Sequence, residues 1–318
     1  MRVLVWHVHG SWLDAFVRGD HEYLLPVLPE RGPWGGGTCG RDWPVREVSV
    51  PDLAGTEVDV VVLQRPEELD LAARWLHREP GREVPAVYVE HNTPRGDVPD
   101  TRHPIAGRDD IPLVHVTHFN ELMWDAGSAP TTVIEHGVVD PGYRYTGDLC
   151  RAAVVINEPV RRWRVTGTDL LPRLAQGMEL DVFGMGLDGL GRAVGLGAER
   201  LNTVGDLPAA RLHEAMGRRR VYLHPVRWTS LGLSLIEAMH LGMPVVALGA
   251  TEAARAVPPD AGVVSTRLDD LTAALRDLAC DHAMATQLGK NAREFALRHY
   301  GMPQFLNRWD ELLRHVAR

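Results

Sequence analysis

The sequence predicts an α/β protein of two domains, each a parallel sheet wrapped by helices. Three observations carry this. Short β-branched runs alternate with helical patterns from end to end, the series breaks once and restarts, and several runs lack polar alternation. Alternating strand and helix signals build βα units around parallel sheets. Runs without polar alternation fit strands covered on both faces. The length of 318 residues suits two domains of roughly 150 residues each.

The first series places strands at residues 3–8, 45–50, 58–63, 86–90, 113–117 and 132–134. Residues 140–148, DPGYRYTGD, break it with Gly, Pro, Tyr and Asp and read as a linker. The second series runs through 152–156, 180–183, 201–204, 221–223, 245–248 and 262–264. Two restarted series imply two Rossmann-like domains facing each other across a cleft, at 1–146 and 147–299. Residues 300–318 close the chain with Phe305, Leu306, Trp309, Leu312, Leu313 and Val316 on one helical face, expected to pack back on the first domain. Ligands of such sheets sit outside the carboxyl ends of the strands. Residues 32–40 are Gly-rich and read as a mobile loop, because no Lys-Ser/Thr follows to make a phosphate cradle.

Composition narrows the function. With 45% hydrophobic and 24% charged residues the chain is an ordinary globular sequence. A net charge of −8 argues against nucleic acid, whose binding needs a basic face. The local clusters Arg161, Arg162, Arg164 and Arg218, Arg219, Arg220 instead suit a small anionic ligand. Cys39, Cys150 and Cys280 show no paired spacing, which argues against disulfides or a thiolate metal site and fits a reducing compartment. The chain opens on the strand-like MRVLVWHV rather than a signal segment. No stretch reaches the roughly 18–20 apolar residues of a membrane span. A cytoplasmic enzyme is expected, with at most weak peripheral membrane contact.

Residues 221–246, VYLHPVRWTSLGLSLIEAMHLGMPVV, hold the densest chemistry. A buried strand leads through a proline turn and a polar loop into a helix. Its start near residues 230–233 presents free backbone N–H groups and a positive dipole end, a ready diphosphate site. Gly232 permits close approach, Ser230 and Ser234 add hydroxyls, and Glu237 can reach a ribose diol. A plain βα unit with a surface glutamate explains the same residues.

The segment resembles the nucleotide-sugar signature of retaining glycosyltransferase family 4, of GT-B fold: Pro-Ser-x-x-Glu-Gly-Phe-Gly-Leu-Ser-x-x-Glu-Ala-Met-Ala-x-Gly-x-Pro-Val-Val. Pro225, Gly232, Leu233, Ser234, Glu237, Ala238, Met239, Gly242, Pro244, Val245 and Val246 match in register. The resemblance implies that Glu237 binds ribose hydroxyls and that the backbone at Leu231, Gly232 and Leu233 faces the donor phosphate and sugar. The family's first glutamate falls on Thr229 and its Gly-Phe pair on Ser230 and Leu231. A threonine cannot supply the charge-assisted hydrogen bond.

Further similarities span most of the chain. Residues 132–140, TVIEHGVVD, are similar to the family's Val-Ile-Pro-Asn-Gly-Val-Asp junction. The strand at 152–156, a basic loop and Gly167-Thr168-Asp169-Leu170-Leu171 resemble its diphosphate-clamping element. The family lysine falls on Thr166, so Arg161, Arg162 or Arg164 would take its place. Gly10 lies in the loop expected to approach the donor phosphate, and Gly184 and Gly186 match a Gly-x-Gly at the donor cleft. His91 stands where the family places its active-site histidine, and His118 follows the next strand.

These residues imply transfer of a sugar from a UDP- or GDP-sugar to a hydroxyl of a small-molecule, glycan or lipid-linked acceptor. Configuration would be retained, Arg162 and Arg161 would stabilise the leaving diphosphate, and neither metal nor cofactor would be needed. Trp6, Trp12, Phe16, Tyr23 and Leu24 are candidates for an acceptor pocket or for core. Rival readings remain. The G-x-G-x-x-G at residues 184–189 fits a dinucleotide site poorly, lacking a good helix and the acidic residue about 20 positions on. His7 and His9, with strand-end His91, His118, His136 and His224, suggest a metal-dependent amidohydrolase-like barrel. Thr166 and Thr229 leave room for a sugar-nucleotide-binding descendant without turnover.

Overall fold

The computed structural model describes residues 1–318 and divides into two compact units, Met1–Gly137 with Met302–Arg318, and Val138–Gly301. The first unit begins β1 (Arg2–Val5), α1 (Gly10–Phe16), β2 (Glu22–Val27) and β3 (Val45–Ser49). It continues through β4 (Val60–Leu63), α2 (Glu67–Leu76), β5 (Ala86–Glu90), β6 (Leu113–His115), α3 (His118–Met123) and β7 (Thr131–Val133). These strands form one parallel sheet in the order β3-β2-β1-β4-β5-β6-β7. Both faces of β4 and β5 are covered, with no exposed position on either strand. Val3, Val5, Val60, Val62, Val87 and Val89 face Trp12 and Phe16, while Leu4, Trp6, Val61, Leu63 and Tyr88 face Ala72 and Leu76.

The second unit runs β8 (Leu149–Val155), α4 (Pro159–Arg162), α5 (Leu171–Leu174), β9 (Leu180–Phe183), α6 (Leu190–Val194), β10 (Leu201–Gly205), α7 (Ala209–Arg218) and β11 (Arg219–His224). It ends α8 (Leu233–Leu241), β12 (Val245–Leu248), α9 (Ala253–Ala256), β13 (Gly262–Ser265), α10 (Leu268–Cys280) and α11 (His282–His299). Its sheet is also parallel, ordered β10-β9-β8-β11-β12-β13. In both sheets chain order reverses beside the first strand, at β1/β4 and at β8/β11. Such switch points open a crevice at the carboxyl ends of the strands.

The last helix, α12 (Met302–Val316), belongs to the first unit. Phe305, Trp309 and Leu313 are buried on it, and Trp309 meets Trp12 and Phe16 edge to face at 5.7 and 5.0 Å. The same contacts place Trp12 and Phe16 in core. Trp6, Tyr23 and Leu24 are buried likewise, so none of the five forms an open acceptor pocket.

The unit boundaries differ from those expected. Residues 138–146, assigned by sequence to the first domain, join the second: Arg144 and Tyr145 donate backbone hydrogen bonds to Leu241 O, and Thr146 and Gly147 to Gly217 O. Tyr300 and Gly301 stay there too, as Val138 N–H donates to Tyr300 O at 3.0 Å. The Gly-rich loop is also tied down. Glu47 accepts from Thr38 N–H at 2.8 Å and pairs with Arg31 at 2.9 Å, and Arg65 lies 4.0 Å over the Trp34 ring.

Candidate functional site

In the second unit the switch point gathers two loops, after β8 and after β11. After β8 the chain turns through Glu158, whose φ of 51° is left-handed and strained for a side-chain residue. Arg161 pairs with Glu158 and is exposed, Arg162 is half-buried, and Arg164 pairs with Asp169 at 3.0 Å. Arg227, from the loop after β11, grips the same carboxylate at 2.8 Å and donates to Arg164 O at 3.0 Å. The Arg227 guanidinium, and then Arg164, hold the Asp169 carboxyl below its ordinary range against the effect of burial. Gly167 brings the basic loop onto the proline turn: its φ is +71°, and a Cβ there would lie 1.9 Å from Pro225 O.

Thr166 does not face this crevice. Its hydroxyl is buried, donates to Trp163 O at 3.2 Å and pairs with Thr168 Oγ1 at 2.8 Å, so it cannot stand in for a phosphate-binding lysine. Ser234 is likewise turned inward, its Oγ 2.9 Å from the Tyr222 hydroxyl. Ser230 is buried, Leu231 packs in the core, and Thr229 is half-buried.

Helix α8 starts with Gly232 as its N-cap and no capping side chain, leaving first-turn N–H groups for a ligand. His224, at the end of β11, sits beneath this start. A Cβ at Gly232 would meet its Cε1 at 3.0 Å, and its buried Nδ1 has no partner in the protein. Burial pushes the His224 imidazole down to about 4, so it is neutral at pH 7. Glu237, one turn further along α8, lies half-buried 3.4 Å from His213 Nε2 of α7, an ion-pair separation and not a hydrogen bond. Two cavities flank these groups. One, about 410 Å³, is bordered by Gly184, Met185, Gly186, Asp188, Thr203 and Asp206 beyond β9 and β10. The other, about 450 Å³, lies at the ends of β12 and β13 beside Arg164 and Arg227.

In the first unit the carboxyl ends carry histidines. His91, after β5, contacts Gln64 Oε1 through Nε2 at 3.0 Å, while Gln64 Nε2 donates to Trp6 O at 2.8 Å. With the amide so oriented, His91 Nε2 carries the proton. The His9 ring lies 4.3 Å from His91, and Trp12 meets it edge-on at 5.0 Å. Burial holds His91 well below the ordinary histidine range, with His9 and His136 adding to the effect. His118 does not join them; it is half-exposed, 3.9 Å from Glu121. Gly10 begins α1 against the Arg41 guanidinium, 2.7 Å from where its Cβ would be.

His213, Arg227 and Trp228 escaped the sequence reading. His213 sits mid-helix with no strand-end signal, and Arg227 and Trp228 occupy variable positions of the matched signature. The two open sheets also remove the closed barrel that a His7/His9 metal hydrolase requires.

The two parallel sheets match the GT-B fold of solved glycosyltransferases. The fold resembles sucrose-phosphate synthase from Thermosynechococcus elongatus, at TM-score 0.73 and 15% identity over 99% of each chain. It resembles Anabaena HepE bound to UDP at TM-score 0.75 and 16% identity, over 99% of this chain and 100% of that one. A Rickettsia africae glycosyltransferase follows at TM-score 0.70 and 12% identity, over 100% and 98%. More particularly, residues 193–295 match the family model described as Glycosyl transferases group 1, which covers α8 and its flanking strands. No curated protein sequence matches the chain. No helix is long and apolar enough to cross a membrane.

Proposed function

We propose that the second unit binds a nucleoside-diphosphate sugar and that the chain transfers the sugar, with retention, to a hydroxyl acceptor recognised by the first unit. The observation that carries this is the uncapped start of α8, set over the unpartnered His224 and beside the basic loop at the β8/β11 switch point. Helix-start amides favour a diphosphate, and Arg162 with its neighbours would stabilise charge on the leaving group. Glu237 would take the ribose diol, and the polar cavity over β9 and β10 the base. The diphosphate itself would accept the acceptor proton, so no protein nucleophile or metal enters this reading. His91 would hold a substrate hydroxyl as a neutral hydrogen-bonding group. Solved HepE structures carry UDP, UDP-glucose, or UDP with glucose, which fits such a donor. The three cysteines are exposed and unbridged, in keeping with a cytoplasmic setting.

Calorimetry with UDP, GDP, ADP and TDP tests the reading. One of them should bind, and Glu237→Ala should weaken it about tenfold or more, the scale of a lost charge-assisted hydrogen bond. Silence with all four would overturn the donor site. Binding without turnover across an acceptor panel would leave a non-catalytic sugar-nucleotide binder.

A further inference from the structure

Resting on that donor-site reading, we propose that the transferred sugar is a 6-deoxyhexose, housed in the cavity beside Arg164 and Arg227. A sugar nucleotide has two ends joined by a diphosphate, and the two cavities of the second unit lie on opposite sides of the switch point. The cavity beyond β9 and β10 is rich in backbone polar groups around Gly184, Gly186 and Gly205 and carries Asp188 and Asp206. From its edge at Asp206 the chain runs into α7, whose His213 meets Glu237. That end suits base and ribose, which leaves the hexose to the cavity of about 450 Å³ at the ends of β12 and β13. The size falls within the range of ~300–1,000 Å³ typical of small-molecule sites.

The walls of this second cavity are wrong for a fully hydroxylated sugar. Val165, Trp228, Leu248 and Ala250 present carbon. The guanidiniums of Arg164 and Arg227 both turn to Asp169. Among the uncharged side chains only the Thr266 hydroxyl can both donate and accept a hydrogen bond, and the neighbouring Thr229 brings no carboxylate. A hydroxymethyl group set against the Val165, Leu248 and Ala250 side chains loses its water without gaining a partner there, whereas a methyl group gains from the same contact. The pattern therefore favours a sugar with CH₃ at C6.

Matched donors decide the matter: the UDP, TDP and ADP derivatives of glucose against those of 6-deoxyglucose, and GDP-mannose against GDP-6-deoxymannose, by calorimetry. In whichever base series binds, the 6-deoxy donor should bind roughly ten- to a hundredfold tighter, the discrimination open to an apolar pocket facing one extra hydroxyl. Val165→Thr, nearly isosteric but bearing a hydroxyl, should narrow that ratio to about threefold or less; Ala250→Ser is the second variant, and the nucleoside diphosphate alone serves as the folding check on each. Equal or tighter binding of the hydroxylated donors would overturn the proposal, as would a preference that both variants leave intact. Failure of every nucleoside diphosphate to bind would instead strike the donor-site reading beneath it.

Discussion

Asp169 organises the basic side of the site by holding two arginines that come from different loops. Arg164 reaches it from the segment after β8 and Arg227 from the segment after β11. Without the carboxylate both guanidiniums would swing into solvent and the apolar cavity would lose one wall. Asp169→Asn keeps the shape but weakens both pairs, since charge-assisted hydrogen bonds are roughly twice as strong as neutral ones. It should raise the Kd for the bound nucleoside diphosphate about tenfold while lowering Tm only slightly, the pairs being partly exposed. An unchanged Kd by calorimetry would remove Asp169 from the site. Residue type and spacing had marked this loop, but not which hydroxyls and cations turn inward. Ser234 read as a ligand contact and proves to be an internal tie, and Thr166, at the family lysine's place, is another.

At the scale of elements, most strands were legible because their burial on both faces leaves unbroken apolar runs. β2 was not: Glu22 begins it and Pro26 interrupts it, both poor strand signals, and only its place between β1 and β3 accounts for it. The linker was seen but placed with the wrong unit, because backbone hydrogen bonds to Leu241 and Gly217 have no sequence signature. The two cavities were illegible for a related reason: each is made where separate loops converge. By contrast, α12 declared itself through its periodic apolar face. Its Trp309 is buried among Trp12, Phe16 and Phe305. Trp309→Ala should cost the first unit about 3–5 kcal/mol and lower its melting transition. Nucleoside-diphosphate binding by the second unit should survive, since α12 contributes nothing to that core. Calorimetric melting with the ligand titrated on the same variant checks both halves, and loss of binding together with the transition would contradict the independence of the two cores.

The whole molecule distributes its buried histidines unevenly between the units, and this gives them different acid sensitivities. Burial depresses His115 and His136 to about 4 and holds His91 well below the ordinary range; all three lie in the first unit. His7, His9 and His21 shift the same way there. The second unit carries His224, pushed down to about 4, and His240. A histidine whose folded pKa is lowered stays neutral in the native state while the unfolded chain takes up a proton near pH 6.5. Its contribution is therefore complete above about pH 6.5 and declines as pH falls toward 4, by about 1.4 kcal/mol per pH unit for each group. Glu68 opposes this within the first unit, since burial raises its carboxyl and protonation then favours the folded state. The depressed carboxyls of Glu47, at about 2, and Asp169 act only below the ordinary carboxylate range, so between pH 6.5 and 4.5 the first unit's six depressed histidines are set against the single raised carboxyl of Glu68. Scanning calorimetry across that window should show the first unit's transition, identified by its response to Trp309→Ala, falling more steeply than the second's. His115, fully buried with both ring nitrogens unpartnered, supplies the control. His115→Phe should flatten the first unit's pH dependence by about one proton and raise its Tm at pH 5.5, because an unsatisfied polar ring gives way to an apolar one. Parallel decline of the two transitions, or a His115→Phe slope equal to that of the parent, would show that protonation of these buried rings does not govern the acid stability of the first unit.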